Sequence, residues 1–174
     1  ISMGFFITEG QAVVWRGPMI NGAIQQMIRD VDWGELDYLL VDLPPGTGDA
    51  SLSLAQLVPL PGAVVVLTSS QAALDDGAKS IAMFQKLQVP LLGIIENMSY
   101  LNCPHCSETI DVFGRGASKK VAQKYDIDWL GDLPLDPAIR IGGDDGLPVV
   151  IGAPESAAAQ RFMEVAKILA GKVS

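Results

Sequence analysis

Short apolar runs alternate along this chain with segments in which apolar residues recur at helical spacing. Near-continuous runs occupy residues 37–42, 64–67 and 91–95, and each ends in polar side chains, as the buried strands of a parallel sheet do. Helical spacing over residues 52–58 and 72–87 predicts crossover helices between these strands. The pattern predicts an α/β fold with one doubly wound, mostly parallel sheet.

The second half of the chain continues the alternation of helices and strands. We predict a helix over residues 116–125, a short strand over 127–130 and a terminal helix over 154–170, with Pro154 near its start. We predict a loop over residues 136–148. Because no linker, repeat or low-complexity tract divides residues 1–174, a single domain is expected.

Composition narrows the class of protein. A hydrophobic content of 49% with 6% aromatic residues suits an aliphatic α/β core. The 12 scattered Lys and Arg against 20 Asp and Glu give a formal charge of −8, so neither nucleic acid nor a membrane is an expected partner. No apolar run approaches the ~20 residues that span a bilayer, and no secretory signal opens the chain. A cytoplasmic location is expected, with an organelle matrix as the alternative.

The first predicted strand runs into a carboxylate and a turn of prolines and glycines. Asp42 ends the strand, and the turn follows as Pro44-Pro45-Gly46-Thr47-Gly48-Asp49. Ligands of such sheets lie beyond the carboxyl ends of the strands, where a carboxylate can hold the water shell of a nucleotide-bound Mg²⁺. The turn amides would then face the terminal phosphate. The alternative is a plain helix N-cap or turn former.

Both cysteines lie in Cys103-Pro104-His105-Cys106, a metal loop over residues 103–106. Zinc and iron–sulfur clusters usually take four protein ligands, whereas the chain has two cysteines and one His, so the loop is half a site. A two-fold dimer would bring together four thiolates. Structural zinc and thioredoxin-type redox chemistry remain alternatives, although the residues after Cys106 predict a turn and short strand and not a helix. We expect His105 to lie outside the ligand set.

Taken together, these segments resemble the Mrp/ApbC family of iron–sulfur carrier ATPases, which is related to the cell-division ATPase MinD and the nitrogenase iron protein. The resemblance covers nearly the whole chain and is carried by the pairing of Pro-Pro-Gly-Thr-Gly-Asp with a downstream Cys-Pro-x-Cys. Further matching segments are Met3-Gly4-Phe5, Trp15-Arg16-Gly17-Pro18-Met19, Trp33-Gly34-Glu35-Leu36-Asp37-Tyr38 and Asn97-Met98-Ser99.

The resemblance implies a P-loop NTPase fold and a homodimer or close heterodimer. Such a dimer would carry a labile 4Fe-4S cluster on paired Cys103 and Cys106, bind ATP with Mg²⁺, and pass the cluster to apo iron–sulfur proteins. ATP hydrolysis is expected of the complete family protein. A positioning ATPase of the MinD type and a non-catalytic dimeric metal-binding module are the alternatives.

The resemblance also assigns roles to individual residues. Asp42 is similar to the Walker B carboxylate, Gly46 to the switch that senses the terminal phosphate, and Asn97 to the side chain that reads adenine. Asp136 and Arg140 belong to a segment similar to the wall of the nucleotide pocket. Without the resemblance, Asn97 would be a polar cap on a strand end and Arg140 a solvated loop residue.

One family feature is missing from the 174 residues. No phosphate loop of the Gly-Lys-Gly-Gly-Val-Gly-Lys type occurs, and Ile1 already lies in an apolar run. The chain is therefore interpreted as the carboxyl-terminal part of such an ATPase, without the amino-terminal strand, loop and helix, and is expected to be inactive in ATP hydrolysis by itself. We expect strands 37–42 and 63–67 either to pair directly or to borrow a strand from a neighbour.

Overall fold

The computed structural model describes residues 1–6, 17–44 and 48–173, and the structural statements below refer to these residues. They fall into two compact units, Ile1–Pro59 and Leu60–Ser174, and each unit is considered by itself. The single domain expected over residues 1–174 stays a prediction.

Helices make up the regular structure of the first unit. A short 3-10 helix spans Met3–Phe6, α1 spans Gly17–Arg29 and α2 spans Asp49–Leu57. Helices α1 and α2 pack against each other, and the Ser53 hydroxyl of α2 donates a hydrogen bond to the Asn21 side chain of α1. Helix α2 was predicted over 52–58 and begins three residues earlier.

The predicted strand over residues 37–42 is wrong. This run has no regular secondary structure, and Leu40 is 92% exposed. A strand forms only where a neighbouring strand accepts its backbone hydrogen bonds, and none of the described residues pairs with this run. The expectation that this run pairs directly with the strand over 63–67, or that a neighbour supplies a strand, concerns the arrangement of the two units and stays a prediction.

A three-stranded parallel sheet forms the centre of the second unit. Its strands are β1 (Ala63–Leu67), β2 (Leu91–Glu96) and, after two intervening strands, β5 (Trp129–Asp132). The order is β1-β2-β5, with both pairings parallel. The predictions for β1 and β2 are confirmed, and β5 begins two residues later than predicted.

Helices cover both faces of this sheet. Helix α3 (Gln71–Lys86) and α4 (Ala117–Tyr125) pack on one face, and α7 (Ala157–Val173) packs on the other. In the middle strand, Ile94 joins the core under α3 and α4, whereas Ile95 joins the core under α7. Consecutive residues thus point to opposite faces, as a strand buried on both sides requires.

The predicted loop over residues 136–148 is wrong for most of its length. Helix α5 spans Pro137–Asp144, and the short α6 spans Val149–Gly152. The Asp136 side chain accepts a hydrogen bond from the Ala138 backbone N–H at 2.8 Å, and Pro137 occupies the first turn. An N-cap carboxylate followed by proline is a start signal for a helix, and here it outweighs the glycines of the segment.

A small antiparallel pair completes the second unit. Strand β3 spans Leu101–Asn102 and β4 spans Thr109–Ile110. Among the described helices, none is both long and apolar enough to cross a membrane.

Candidate metal site

Both cysteines lie in a hairpin formed by β3, β4 and the turn between them, residues 101–110, which we call the cysteine hairpin. The Cys103 N–H donates to the Glu108 carbonyl at 2.9 Å, and the Ser107 N–H donates to the Cys103 carbonyl at 2.8 Å. On the strands, the Thr109 hydroxyl donates to the Asn102 side-chain oxygen at 3.1 Å. The turn and short strand predicted after Cys106 are therefore confirmed.

The two thiols of the hairpin lie together. Hydrogen bonding from the backbone of His105 and of Cys106, and then from the Cys106 side chain, lowers the pKa of the Cys103 thiol, and desolvation opposes this decrease. Cys103 is half-buried, Cys106 is exposed, and neither is in a disulfide. A thiolate is the form that binds metal, so the hairpin offers two adjacent sulfur ligands.

Among residues 1–6, 17–44 and 48–173, the candidate metal-ligand set of one chain consists of these two sulfurs. His105 is exposed, and among the residues described no group of three or more His, Cys, Asp and Glu side chains is arranged to hold a metal ion. A tetrahedral zinc ion or an iron–sulfur cluster needs two further ligands. The assignment of Cys103 and Cys106 as metal ligands, and the completion of the site by a second chain, stay predictions.

A buried carboxylate accepts hydrogen bonds from both ends of the segment that carries the hairpin. Glu96, the last residue of β2, is 0% exposed. Its Oε1 accepts from the Ser99 hydroxyl at 2.5 Å and from the Gly116 N–H at 2.8 Å. Its Oε2 accepts from the Ser118 hydroxyl at 2.6 Å and from the Ser118 N–H at 3.0 Å. We call these four residues the Glu96 cluster.

Glu96 is ionised despite its burial. Burial by itself raises the pKa of the carboxyl group, but the hydrogen bonds from Ser118, Ser99 and Gly116 outweigh it and bring the pKa to about 2. Hydrogen bonds to the charged form are the general cause of such a decrease. Two of the donors are backbone N–H groups at the start of α4, where a negative charge is favourable.

A second ionic contact lies at the end of the neighbouring strand. Asp132, the last residue of β5, pairs with Arg115 at 2.9 Å and, through a short contact, with Arg161 of α7. Burial by itself raises the pKa of Asp132, but the hydrogen bonds from Arg115 and Arg161 outweigh burial, so the pKa lies below its usual value. The Arg115 guanidinium also stacks 4.5 Å from the centre of the Tyr100 ring. Arg115 thereby attaches the end of the segment that carries the cysteine hairpin to β5.

The nucleotide residues predicted in the second unit make local contacts. The Asn97 N–H donates to the Leu67 carbonyl at 2.6 Å, and its side-chain oxygen accepts from the Met98 N–H at 3.0 Å, which is the capping arrangement considered as the alternative. Asp136 caps α5, and exposed Arg140 pairs with Asp144 at 2.6 Å. Their nucleotide roles stay predictions.

The two candidates in the first unit differ in what can be described. Asp42 is exposed and lies outside regular structure. Gly46 lies outside the described residues. The proposed contacts of both residues with Mg²⁺ and phosphate stay predictions.

A cleft of about 230 Å³ lies beside the cysteine hairpin. Residues 100–102 and Pro104 line one side, and residues 134–137 line another. The Leu135 N–H donates to the Tyr100 carbonyl at 2.7 Å, which connects the two sides. The structure thus brings Asp136 and the hairpin to one cleft, while Asn97 and Arg140 do not line it.

Sequence reasoning missed Glu96, Ser118, Arg115 and Asp132. A signal existed for Glu96, because it is a carboxylate that ends a buried apolar strand, just as Asp42 was interpreted. Two of the donors to Glu96, Gly116 and Ser118, lie 20 and 22 residues further along the chain. No local sequence pattern identifies such partners.

Comparison with known protein families gives one match over nearly the whole chain. A family model described as ParA, NUBPL iron-transfer P-loop NTPase, matches residues 1–170. A protein of Deinococcus radiodurans named iron-sulfur cluster carrier protein is 52% identical over all 174 residues, which cover 49% of its own length. The chain therefore spans about half the length of the curated relatives that it matches.

Solved structures show the same fold. A nucleotide-binding protein from Archaeoglobus fulgidus in complex with ADP is 38% identical with a TM-score of 0.65, over 79% of this chain and 55% of that one. The septum site-determining protein MinD from Pyrococcus horikoshii, complexed with Mg-ADP, is 25% identical with a TM-score of 0.62, over 90% of this chain and 60% of that one. The predicted fold class, an α/β sheet of the MinD type, is confirmed.

Proposed function

This chain belongs to the family of NUBPL iron-transfer P-loop NTPases, and we propose that it carries an iron–sulfur cluster on Cys103 and Cys106 and passes it to apo iron–sulfur proteins. The observation that carries the proposal is the cysteine hairpin, whose two adjacent thiols include one of lowered pKa. Thiolates are the usual ligands of iron–sulfur clusters. The cluster is cargo in this proposal, and the exposed position of Cys106 suits its delivery.

The cluster is of the 4Fe-4S type and is shared between two chains. Each chain supplies two thiolates and such a cluster takes four, so a homodimer or a close heterodimer completes the site by two-fold symmetry. At the end of the hairpin and directly after it, Ile110, Val112 and Phe113 are each 45–46% exposed. These side chains give a second chain an apolar surface to pack on beside the cluster.

The nucleotide part of the proposal concerns the protein at the full length of its relatives. There Asp42 holds the waters of Mg²⁺, while Gly46, Asn97, Asp136 and Arg140 border the ATP pocket. ADP and Mg-ADP in the two structural neighbours support nucleotide binding at this fold. Transfer of the cluster to apoproteins takes place in the cytoplasm or in an organelle matrix.

Anaerobic reconstitution with iron and sulfide tests the metal site. We expect Cys103→Ser and Cys106→Ser each to abolish the brown 4Fe-4S absorbance, because each removes two of the four thiolates of a symmetric dimer. His105→Ala is the matched control: it changes the same turn at an exposed side chain and should retain the cluster. Full cluster content in either serine variant would refute the assignment of the ligands.

A second candidate is a dimeric metal-binding module without nucleotide chemistry, and one observation favours it for these 174 residues by themselves. The run that ends at Asp42 forms no strand, so its carboxylate is not fixed at a sheet edge as a Mg²⁺ site of this fold requires. The two candidates agree on the cysteine hairpin and differ only in ATP binding.

A further inference from the structure

The segment between β2 and α4 leaves the sheet after Glu96 and ends at Gly116, the N-cap residue of α4. It contains the cysteine hairpin, and the hairpin strands are only two residues each. A two-stranded hairpin is at best marginally stable by itself in water. Its orientation therefore depends on how the two ends of the segment are fixed.

Glu96 fixes both ends with one side chain. The Ser99 hydroxyl, just after the start of the segment, and the Gly116 N–H, at its end, donate to the same oxygen at 2.5 and 2.8 Å. The other oxygen accepts both hydrogen bonds from Ser118 at 2.6 and 3.0 Å. Ser118 in turn accepts from the Trp129 ring N–H at 3.3 Å, which connects the cluster to β5.

The chemistry of this contact makes it rigid. Hydrogen bonds to a charged acceptor are shorter and stronger than those between neutral groups. A buried carboxylate that lost its donors would be strongly unfavourable, so the four hydrogen bonds hold together as one unit. No water needs to bridge these groups, because every donor lies within 3.0 Å of an oxygen of Glu96.

We propose that Glu96 is a positioning residue for the metal site: by joining the two ends of residues 97–116 it holds the cysteine hairpin in the orientation in which Cys103 and Cys106 meet a metal shared with a second chain. The proposal rests on the proposed function of the cysteines. Pre-organising a ligand set removes ordering cost from the binding step. Loss of Glu96 should weaken metal binding although no ligand is removed.

Cobalt(II) alone is the probe, because thiolate-to-cobalt charge-transfer absorbance reports bound sulfur directly. We measure its apparent affinity by chelator competition in the parent chain and in Glu96→Gln, which keeps the shape of the side chain and removes its charge. We expect about tenfold weaker binding, the order of effect seen when partners outside the ligand set are lost. Affinity within twofold of the parent in folded Glu96→Gln would overturn the proposal.

A stability control separates positioning from general destabilisation. Ile81→Ala removes a fully buried side chain from the core under α3 and should lower the unfolding temperature at least as much as Glu96→Gln. With the assay run below both unfolding temperatures, Ile81→Ala should bind cobalt as the parent does. Equal loss of affinity in both variants would show that stability alone is responsible and would overturn the proposal.

Milder variants decide the matter where Glu96→Gln does not fold. Ser99→Ala and Ser118→Ala each remove one hydroxyl donor, and we expect about threefold weaker cobalt binding from each. Ser80→Ala is their control, since its hydroxyl donates to the Asp76 carbonyl within α3 at 3.1 Å and its loss should leave affinity unchanged. Parent-like affinity in both cluster variants would refute the positioning role.

Cys103→Ser in the same assay distinguishes the two levels of the argument. If Cys103→Ser binds cobalt as tightly as the parent, the proposed metal site itself is wrong. If Cys103→Ser loses binding while the Glu96 cluster variants do not, the site stands and only the role of Glu96 fails.

Discussion

Two apolar runs of this chain have the same pattern and different outcomes. Residues 37–42 and residues 91–96 both contain a run of aliphatic side chains, and each ends in a carboxylate, Asp42 and Glu96. The second run is the middle strand of a sheet, bonded to β1 on one side and to β5 on the other. The first forms no strand. An apolar run thus becomes a strand only where neighbours complete its hydrogen bonds.

The two carboxylates differ in the same way. Asp42 is exposed, whereas Glu96 is fully buried and accepts four hydrogen bonds. An exposed carboxylate keeps its lone pairs for an ion. A carboxylate whose oxygens are all engaged positions other groups. The same residue chemistry at the end of an apolar run thus lies in two different environments, and the Mg²⁺ role of Asp42 and the positioning role of Glu96 are proposals that follow from this difference.

Truncation of one side chain in each run should give the largest contrast. Ile94 is 0% exposed in the core of β2, whereas Leu40 is 92% exposed. We expect Ile94→Ala to lower the free energy of unfolding by about 2–5 kcal/mol and Leu40→Ala to change it by less than about 0.5 kcal/mol. Urea unfolding of both variants measures this difference. A loss above about 1 kcal/mol for Leu40→Ala would show that the first run is packed after all.

Acid titration should give a smaller effect that belongs to Glu96. The pKa of Glu96 is about 2 in the folded chain and about 4.3 in an unfolded one. Its contribution to stability is therefore fully present above about pH 4.3 and is lost as the pH falls towards 2. At about 1.4 kcal/mol per pKa unit, the loss is at most about 3 kcal/mol.

Glu96→Gln isolates this contribution from that of Asp132, whose pKa is also lowered. Urea unfolding at pH 5 and at pH 2.5 should show the parent chain losing more stability than the variant over that interval. Equal losses in the two proteins would mean that Glu96 does not carry a lowered pKa.

The smallest expected effect is the heat of ATP binding. Because the run ending at Asp42 has no strand neighbours among the described residues, and the 174 residues contain no phosphate loop of the Gly-Lys type, we expect calorimetry with Mg²⁺ and ATP to detect no binding in the micromolar range. Micromolar binding by this chain would show that the first run acquires the geometry of a nucleotide site without a sheet neighbour.

Local patterns were sufficient for much of the second unit. The strands at 64–67 and 91–95 and the helix at 72–87 were predicted because periodicity and turn residues mark them within a few positions. The failures were of other kinds. The strand predicted at 37–42 needs pairing partners that lie outside the run, so the pattern of the run cannot show whether it forms. The helix at Pro137–Asp144 was missed because the glycines of the segment indicated a loop.

The cysteine pair could be predicted, because a Cys-x-x-Cys spacing places two thiols on one turn whatever the surrounding sequence is. The tertiary contacts around the pair could not be predicted. Glu96 meets Gly116 and Ser118 only after the chain has folded back, and Arg115 meets Asp132 across 17 residues. Such contacts are properties of the tertiary structure, so a single sequence gives the proposed ligands and not the tertiary contacts around them.

Native mass spectrometry of the anaerobically reconstituted chain tests the central claim most directly, since it weighs the protein and its cargo together. Because each chain offers two adjacent thiolates and a 4Fe-4S cluster takes four, we predict that the cluster appears only on the dimer, with one cluster for two chains, and that the metal-free protein contains more monomer. A complete 4Fe-4S cluster on the monomer, or one cluster per chain in the dimer, would contradict the shared site.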